Sequence, residues 1–371
     1  MKHSSNPKIQ NRPADREPFE RLSPGSGRPV AKKRRKKKQP FGKAVIISVF
    51  IFALLLVIGV AGAVYLNQLL GLVDRTPITG DSNLQESDLV DPSDMVDQPD
   101  SSNGVKDAED SYDKVTNMDL LQSDHIYNIL LIGSDMRDNE TVGRSDAMII
   151  LSINKETQKI HLTSLMRAMY VSIPGKGWSM LNHSFAWGGS DLLLKTIENN
   201  LRIKIEDYMV VNFSGFTKVI DQVDGIDIDL TSKEATYINS ELQVKKYKEG
   251  VNHLDGDAAL SYARIRKIDT DFKRTGRQRT VIESLVAKSR KLNPVQLTDM
   301  AKALLPLVKT NLSQSEMLSM LVDMMSARNY PVSQLMLPLE DSREMIYVRK
   351  MEMYKFDFAE NIQALHDFIN E

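Results

Sequence analysis

The sequence predicts an α/β domain with a mixed central sheet flanked by helices, placed outside the cytoplasm and preceded by one transmembrane helix. Two observations support this prediction. Residues 44–66 form an uncharged run of 23 residues shortly after the basic stretch 32–38, KKRRKKK. From residue 125 onward, apolar runs typical of strands alternate with segments of helical periodicity, which indicates an α/β core of about 245 residues.

The N-terminal region is predicted to be a cytoplasmic tail followed by a membrane anchor. Residues 1–43 are polar and rich in Pro, Ser and charge, which is typical of a disordered tail. A helix needs roughly 20 apolar residues to cross the hydrocarbon, so 44–66 is long enough. The apolar part of a cleaved signal peptide is shorter, about 7–15 residues, although the small residues at 61–63 resemble a cleavage site. Because Lys and Arg collect on the cytoplasmic side, everything after residue 66 is expected outside.

The basic stretch 32–38 has two interpretations. A run of Lys and Arg is typical of an arm that binds nucleic acid. Directly before a membrane helix, the same run sets orientation and attracts anionic membrane lipid. Its position favours membrane lipid as the partner, and we expect no nucleic acid.

Residues 67–124 are predicted to be an acidic extracellular linker that carries the domain at 125–371. Between positions 74 and 124 there are fourteen Asp or Glu against three Lys or Arg, with few large apolar residues. We expect an extended stalk there. The chain contains no Cys, which excludes disulfides, a thiol nucleophile and any metal site built on thiolates.

The elements of the domain follow from their apolar patterns. Continuous or alternating apolar runs predict strands at 126–133, 146–154, 159–165, 208–213, 225–230 and 334–339. Helical spacing, with Ser caps at two starts, predicts helices at 190–202, 214–223, 256–264, 275–290, 296–308, 314–326 and 358–369.

The first candidate site lies where two predicted strands meet. Asp135 follows the strand that ends at Gly133, and Arg144 and Asp146 precede or begin the next strand. Loops at strand ends are where α/β sheets place ligands. Two neighbouring carboxylates require a cation, and oxygen ligands suit Mg²⁺. Asp also caps turns, so the sequence leaves both a metal site and plain capping open.

The other candidates are basic. Arg167 directly follows a predicted strand, where a lone arginine is often a surface cation. The stretch 262–279, YARIRKIDTDFKRTGRQR, carries seven Lys or Arg against two Asp. Its candidate ligands are Arg264, Arg266, Arg274, Arg277 and Gln278, of which the last three share a helix face by their spacing. Guanidinium groups bind phosphate through paired hydrogen bonds, so this cluster fits a diphosphate as well as a solvated surface.

Motifs of other enzyme classes are absent from the sequence. The stretch 175–179, GKGWS, lacks the spacing of a phosphate-binding loop. The six His residues show no metal-binding spacing, and His183 and His253 are expected to be structural. There is no Gly-x-Ser-x-Gly nucleophile elbow.

Six collinear stretches resemble the LytR-CpsA-Psr family of Gram-positive envelope proteins. They are NILLIGSDMR, GRSDAMIILSIN, SLMRAMYVSIPGKG, LNHSFAWGG, YMVVNFSGFTKVIDQVDGIDIDL and HLDGDAALSYARIR followed by DFKRTGRQR, together about residues 127–285. The resemblance implies a membrane-anchored phosphotransferase with its catalytic domain outside the cell. Such enzymes move an anionic glycopolymer from undecaprenyl diphosphate to the 6-hydroxyl of N-acetylmuramic acid in peptidoglycan.

The resemblance also implies roles for the candidate residues. Asp135 and Asp146 would hold Mg²⁺, and Asp271 would orient the arginines or take the proton of the acceptor. The diphosphate would be held by Arg144, Arg167, Arg264, Arg266, Arg274, Arg277 and Gln278. The family usually has Arg-Asp where this sequence has Arg167-Ala168. We therefore expect Arg167 to be held less firmly, unless Asp341 or another carboxylate supplies the contact.

Other functions are weighed against the transferase. Such proteins have also been regarded as transcriptional attenuators, but the predicted topology excludes direct contact with DNA. A non-catalytic module that binds the polymer would not need the complete set of aspartates and arginines. A hydrolase of the same diphosphate differs only in using water as acceptor, and the sequence leaves it open.

Overall fold

The computed structural model describes the chain from the end of the predicted membrane segment onward. The described residues are 65, 67–90, 95–136, 143–269, 271–289, 291, 293, 295–296, 299, 302, 305–327 and 329–371. The predicted tail 1–43 lies outside them, as does the predicted membrane helix 44–66 apart from Tyr65. Within the described ranges no helix is long and apolar enough to cross a membrane.

The described residues form eight helices and twelve strands. The helices are α1 (Ser102–Asp113), α2 (Leu181–Leu201), α3 (Phe213–Gln222), α4 (Ser232–Glu241), α5 (Gly256–Ala263), α6 (Asp271–Ser289), α7 (Gln314–Ala327) and α8 (Phe358–Asn370). The strands are β1 (Ile126–Ser134), β2 (Ser145–Asn154), β3 (Lys159–Leu165), β4 (Tyr170–Ile173), β5 (Gly177–Met180), β6 (Asp207–Asn212), β7 (Ile226–Leu230), β8 (Gly250–Leu254), β9 (Val308–Thr310), β10 (Val332–Leu337), β11 (Arg343–Val348) and β12 (Met351–Phe356). Two short 3-10 helices cover Glu86–Leu89 and Leu305–Leu307.

The central sheet is mixed and flanked by helices, which confirms the predicted α/β fold of the domain. Its strand order is β10-β3-β2-β1-β6-β9. Strands β1, β2 and β3 form an antiparallel meander, whereas β1 with β6 and β3 with β10 are parallel pairs. Three two-stranded sheets, β4-β5, β7-β8 and β11-β12, lie outside this sheet.

Both faces of the central sheet are covered by apolar clusters. On one side, Leu130 of β1 belongs to a cluster with Phe185 of α2 and Phe358 of α8. On the other side, the neighbouring Ile129 belongs to a cluster with Met317 of α7. Because successive strand residues face opposite sides, a strand buried on both faces reads as a continuous apolar run. This explains the pattern that predicted β1.

A second, smaller core supports the arginine-rich stretch. It gathers the buried apolar residues of α3, α4, α5, β7 and β8, together with Val281 of α6. Helix α6 also reaches the central sheet, where Arg279 Nε donates to Gln334 Oε1 of β10 at 2.6 Å. Helix α6 therefore joins the small core to the edge of the sheet.

The segment 67–124, predicted to be an extended linker, is instead packed on the domain where it is described. Leu70, Ile78 and Leu89 are buried in the clusters that cover the central sheet. Helix α1 packs against α8 and β12. The expected extended stalk is therefore not found in the described part of this segment, because its few, widely spaced apolar side chains lie in the core.

Helix α2 begins earlier than predicted. The predicted start, Ser190, lies just beyond a bend at Gly188 and Gly189 inside the helix Leu181–Leu201. Gly189 has φ +62°, and a Cβ there would lie 1.5 Å from the carbonyl oxygen of Ile78. The same oxygen accepts a hydrogen bond from Ser190 N at 3.3 Å. The glycine therefore permits the N-terminal segment to approach the helix closely.

Some elements differ from the prediction or were not predicted. Within the predicted helix 296–308 the described residues 296, 299 and 302 are helical, and the stretch ends in the 3-10 turn Leu305–Leu307 that leads into β9. The elements that the apolar patterns did not predict are α1, α4, β4, β5, β8, β9, β11 and β12. Most of these strands are short and belong to two-stranded hairpins.

Candidate functional site

A β-bulge places Asp146 at the meeting point of β1 and β2. The register runs from Gly133 opposite Ala147 to Ser134 opposite Ser145, so Asp146 is the extra residue. A bulge interrupts the ladder and redirects the side chain of its extra residue. The backbone oxygen of Asp146 accepts a hydrogen bond from Gln278 Nε2 of α6 at 3.5 Å. The bulge thus brings one predicted diphosphate ligand beside a predicted metal ligand.

Each predicted metal-binding carboxylate is paired with an arginine. The backbone N–H of Arg144 donates to Asp135 Oδ1 at 2.6 Å, and its Nε and Nη2 lie 3.1 Å from Oδ2. Nη1 of Arg167 lies 3.4 Å from Asp146 Oδ1. The four side chains are between 11% and 27% exposed. The structure therefore places these four predicted site residues at neighbouring strand ends, reachable from solvent but sheltered from it.

A cleft of about 310 Å³ lies against these two pairs. Arg144 and Arg167 line it from the strand ends, and Arg266 lines it from the loop between α5 and α6. The rest of the wall comes from residues 89, 90 and 96 of the segment before β1, from β5, from the start of α2 and from β12. Three of the predicted arginines thus converge on one cleft from two separate parts of the fold.

Arg264 is held on an aromatic ring beside this loop. It is exposed at the C-terminal end of α5, and its guanidinium carbon lies 4.6 Å from the centre of the Phe213 ring. Stacking on a ring face orients the planar group while its N–H donors point outward from the edge. This arrangement suits recognition of an anion.

Arg277 has a different environment from the other arginines. Its side chain is 6% exposed, and its Nε donates to Glu234 Oε1 of α4 at 2.7 Å. Nη1 donates to Asp269 Oδ1 at 3.1 Å and to the carbonyl of Ile265 at 3.2 Å, and Nη2 also pairs with Asp269. This guanidinium is buried, is neutralised by two carboxylates and does not line the cleft, so the arrangement does not support the prediction that Arg277 grips the diphosphate.

The pKa values of this buried pair follow from the same contacts. Burial lowers the pKa of Arg277, but hydrogen bonds to Asp269 and Glu234 outweigh it and leave the pKa above its usual value. Burial raises the pKa of Glu234, but hydrogen bonds from Arg277 and Thr231 outweigh it and leave the pKa below its usual value. Both groups are therefore charged at neutral pH, and the pair ties the arginine-rich loop to α4.

The two remaining candidates lie on the first turn of α6. Arg274 is buried, with 4% exposure. Asp271 begins the helix, but its side chain lies outside the described part of the structure. Spacing along the sequence correctly predicted that Arg274, Arg277 and Gln278 share one helix, but not their different surroundings.

The fit of Mg²⁺ rests on the donor chemistry of the two aspartates. Mg²⁺ prefers oxygen ligands, retains several waters and takes one or two carboxylates together with substrate phosphate oxygens. Among the residues that the structure describes, no group of three or more His, Asp or Glu forms a cage made by protein alone. Asp135 and Asp146 supply carboxylate oxygens of the kind that a Mg²⁺ ion shared with a phosphate substrate would need.

Ala168 lines the cleft next to Arg167. Its backbone oxygen accepts a hydrogen bond from Tyr354 N of β12 at 2.8 Å. Although a family aspartate is missing here, Arg167 has the carboxylate of Asp146 at 3.4 Å. The guanidinium therefore shares the aspartate that is expected to bind metal.

Sequence reasoning missed a polar chain at the back of the cleft. His183, predicted to be structural, lines the cleft. Its Nδ1 lies 2.8 Å from Ser179 Oγ and 3.6 Å from Glu86 Oε1, and Ser179 donates to the same carboxylate. Glu86 lies in the segment predicted to be a linker, so no local pattern indicated that it reaches the site.

The structure defines an α/β domain with a mixed sheet, in which arginines pair with aspartates at the strand ends. The chain matches the LytR_cpsA_psr family over residues 95–366, more than half of its length, and belongs to that family. The resemblance inferred from six sequence stretches is thereby confirmed.

Among curated relatives, the chain is similar to proteins named polyisoprenyl-teichoic acid–peptidoglycan teichoic acid transferase TagU. It is 37% identical to that of Bacillus cereus over 201 residues, which cover 52% of this chain and 62% of the relative. It is 37% identical to that of Enterococcus faecalis over 209 residues, which cover 54% and 66%. The matches span less than two thirds of the length of these relatives.

Solved structures of this fold are similar over most of the described domain. TagT bound to LIIa-WTA superposes with a TM-score of 0.56 at 25% identity, covering 69% of this chain and 96% of that chain. The crystal structure of B. subtilis TagT gives a TM-score of 0.55 at 26% identity with the same coverage. The similarity extends across almost the whole of the solved domains.

Proposed function

We propose that this protein is a membrane-anchored phosphotransferase of the Gram-positive cell envelope. It moves an anionic wall glycopolymer from an undecaprenyl diphosphate carrier to the 6-hydroxyl of N-acetylmuramic acid in peptidoglycan. The observation that carries this proposal is the convergence of Arg144, Arg167 and Arg266 on one cleft beside Asp135 and Asp146. Phosphoryl transfer depends mainly on positioning and on neutralising negative charge, and this cleft supplies both.

The arginines bind the diphosphate from different elements of the fold. Arg266 enters from the loop, and Arg144 and Arg167 enter from the strand ends, so that the anion is approached from two sides. Guanidinium groups form paired, charge-assisted hydrogen bonds to phosphate oxygens, which fix the direction of the leaving group. Arg264, stacked on Phe213 two residues before Arg266 in the chain, adds a further positive charge to this stretch. Charge neutralisation by these groups stabilises the transition state more than the substrate.

The aspartates have a second role in this proposal. When bound, Mg²⁺ would be held by Asp135 and Asp146 together with phosphate oxygens and would offset the charge of the diphosphate. The guanidiniums of Arg144 and Arg167, which pair with these aspartates in the structure, would then be available to the phosphates. The arginine pairs thus hold the carboxylates in place until the substrate arrives.

Similarity to named relatives supports the reaction. The TagU proteins of B. cereus and E. faecalis carry a teichoic acid transferase name, and a TagT structure of the same fold is bound to LIIa-WTA. A polyisoprenyl carrier and a peptidoglycan acceptor are the substrates that this name contains. We assign the same classes of substrate to this chain.

The proposed location follows from the charge pattern of the N-terminal region. Residues 44–66 would anchor the chain, residues 1–43 would remain cytoplasmic and contact anionic lipid, and the domain would lie outside. Protease added to intact protoplasts should digest the domain and spare the tail. A domain that resists protease until the membrane is opened would contradict this location and the proposed substrates.

The reaction is tested with the full-length chain in detergent micelles. A polyprenyl-diphosphate-linked sugar polymer, peptidoglycan fragments and Mg²⁺ are supplied, and released polyprenyl monophosphate is measured. Arg266→Met should abolish release, whereas Lys267→Met, which removes the adjacent exposed cation that does not line the cleft, should leave it nearly unchanged. Asp135→Asn should also abolish release in a folded protein. Equal rates in Arg266→Met and Lys267→Met would mean that the cleft is not the site of transfer.

A further inference from the structure

His183 is a buried imidazole on the cleft wall for which the transfer described above has no role. Its side chain is 2% exposed, and it lines the cleft together with Arg144 and Arg167. Transfer to a hydroxyl acceptor releases a proton, and a positioned base that receives it speeds such reactions. The hydrogen bonds of His183 show whether it is prepared for that role.

These hydrogen bonds assign the ring proton to Nδ1. The hydroxyl of Ser179 donates its single proton to Glu86 Oε1. Because that proton is used, Ser179 Oγ accepts the hydrogen bond from Nδ1–H of His183 across 2.8 Å. In a neutral imidazole the other nitrogen, Nε2, then carries the lone pair. His183 is therefore held in the tautomer that accepts a proton at Nε2.

Glu86 is fixed as a carboxylate behind this pair. Nε of Arg349 lies 2.5 Å from Oε2, and Nη2 of Arg349 lies 2.9 Å from Oε1. Burial raises the pKa of Glu86, but hydrogen bonds from His183 and Ser179 and the charge of Arg349 outweigh it and leave the pKa below its usual value. An ionised carboxylate here stabilises the positive charge that appears on His183 when the ring takes a proton.

We propose that His183 is the general base of the transfer, oriented by Ser179 and Glu86, and this inference rests on the function proposed above. The acceptor hydroxyl oxygen forms a bond to the phosphorus that carries the glycopolymer. The bond from that phosphorus to the bridging oxygen of the diphosphate breaks, and its electron pair leaves with the polyprenyl phosphate. The hydroxyl proton passes to Nε2 of His183 and is later released to water.

The groups that face His183 keep it neutral at neutral pH. Burial lowers its pKa, Glu86 raises it, and the positive charges of Arg167 and Arg144 lower it further, with a net decrease. The free imidazole has a pKa of about 6.5, so the neutral base predominates at pH 7. The rate should therefore fall only as the pH drops through the lowered pKa of His183, below about 6.5.

The test uses single-turnover rates of the full-length chain with a short-chain polyprenyl-diphosphate-linked sugar. His183→Asn should slow transfer by about 10²–10⁴-fold and remove the acid limb of the pH–rate profile, while affinity for the diphosphate lipid stays unchanged. Ser179→Ala releases the ring without removing it, and should slow transfer by about 10–100-fold. This second variant keeps the test available should His183→Asn fail to fold.

The outcomes separate this inference from the function on which it rests. If wild type transfers the polymer and His183→Asn does so at the same rate and with the same acid limb of the pH–rate profile, His183 is not the general base. The proposed function would then still stand. If only Ser179→Ala folds, a wild-type rate in that variant would overturn the orienting role in the same way. A wild-type protein that releases no polyprenyl phosphate would overturn both.

Discussion

The replacement of Arg277 by Met should destabilise the fold rather than weaken substrate binding. The side chain of Arg277 is nearly buried, and it holds Glu234 at 2.7 Å and Asp269 at 3.1 Å. Met has a similar length but cannot donate a hydrogen bond or carry charge. The variant therefore leaves Glu234, which is 8% exposed, without its charged partner inside the protein.

The expected magnitude follows from that unpaired carboxylate. Removal of one partner of a buried ion pair costs about 3–5 kcal/mol, because the other charge stays buried. In a domain of this size, each kcal/mol lowers Tm by about 2–4 °C, so Arg277→Met should melt roughly 6–20 °C below wild type. Arg277→Met with Glu234→Gln should recover part of the loss, since the amide can still accept the capping hydrogen bond from Thr231 N.

The loss should depend on pH with a defined sign. In wild type the pKa of Glu234 is held below its usual value, so its contribution to stability is present above the unfolded pKa of about 4.3 and is lost as pH falls through the folded pKa. Without Arg277, burial dominates and raises the pKa of Glu234. The gap in Tm between wild type and Arg277→Met should therefore be largest at neutral pH and narrow below about pH 4.

Thermal melting by circular dichroism from acid to neutral pH measures this gap. The matched control is Arg264→Met, which removes an exposed arginine of the same stretch and should change the free energy of unfolding by no more than about 0.5 kcal/mol. An unchanged Tm in Arg277→Met together with lost affinity for diphosphate lipid would refute the assignment of Arg277 to the framework.

Two further predictions concern the cleft. Ala168→Asp should lower the Mg²⁺ concentration needed for half-maximal transfer, because a new carboxylate beside Arg167 frees Asp146 for the metal. Ala168→Asn is the uncharged control. Equal Mg²⁺ dependence of the transfer rate in both variants would contradict this reason. Arg264→Lys should weaken binding of a diphosphate lipid by about 1–3 kcal/mol, as measured by equilibrium titration. Lysine keeps the charge but loses the paired hydrogen bonds and the stacking on Phe213. An unchanged affinity would mean that Arg264 is a solvated cation.

The arginine-rich stretch shows how far residue patterns reach. Helical spacing correctly placed Arg274, Arg277 and Gln278 on one helix. Spacing along one helix does not show whether a guanidinium binds a phosphate or a carboxylate, because the carboxylate can lie on another element of the fold. Arg277 binds the carboxylate of Glu234, which lies 43 residues away on α4. Only the tertiary contacts show that the surroundings of Arg277 do not support the predicted diphosphate role.

The packing of residues 67–124 could not be predicted from their composition. Its composition is acidic and poor in large apolar residues, which is typical of a solvated linker. Single apolar residues such as Ile78 nevertheless dock into the core, helped by Gly189, whose missing Cβ leaves room for the backbone of Ile78. Composition averages over such isolated contacts, so Glu86 could not be predicted at the site. The strands of the central sheet, in contrast, were predictable because burial on both faces leaves a strong local pattern.

In the proposed reaction, the arginine-lined cleft transfers a phosphate-linked glycopolymer to a sugar hydroxyl. The most direct measurement is mass spectrometry of muropeptides after incubation of the full-length chain with polyprenyl-diphosphate-linked polymer, peptidoglycan fragments and Mg²⁺. The expected product carries the polymer through a phosphodiester at the 6-hydroxyl of N-acetylmuramic acid, in amounts equal to the polyprenyl monophosphate released. Release of polyprenyl monophosphate without any modified muropeptide would identify a hydrolase and contradict transfer to peptidoglycan.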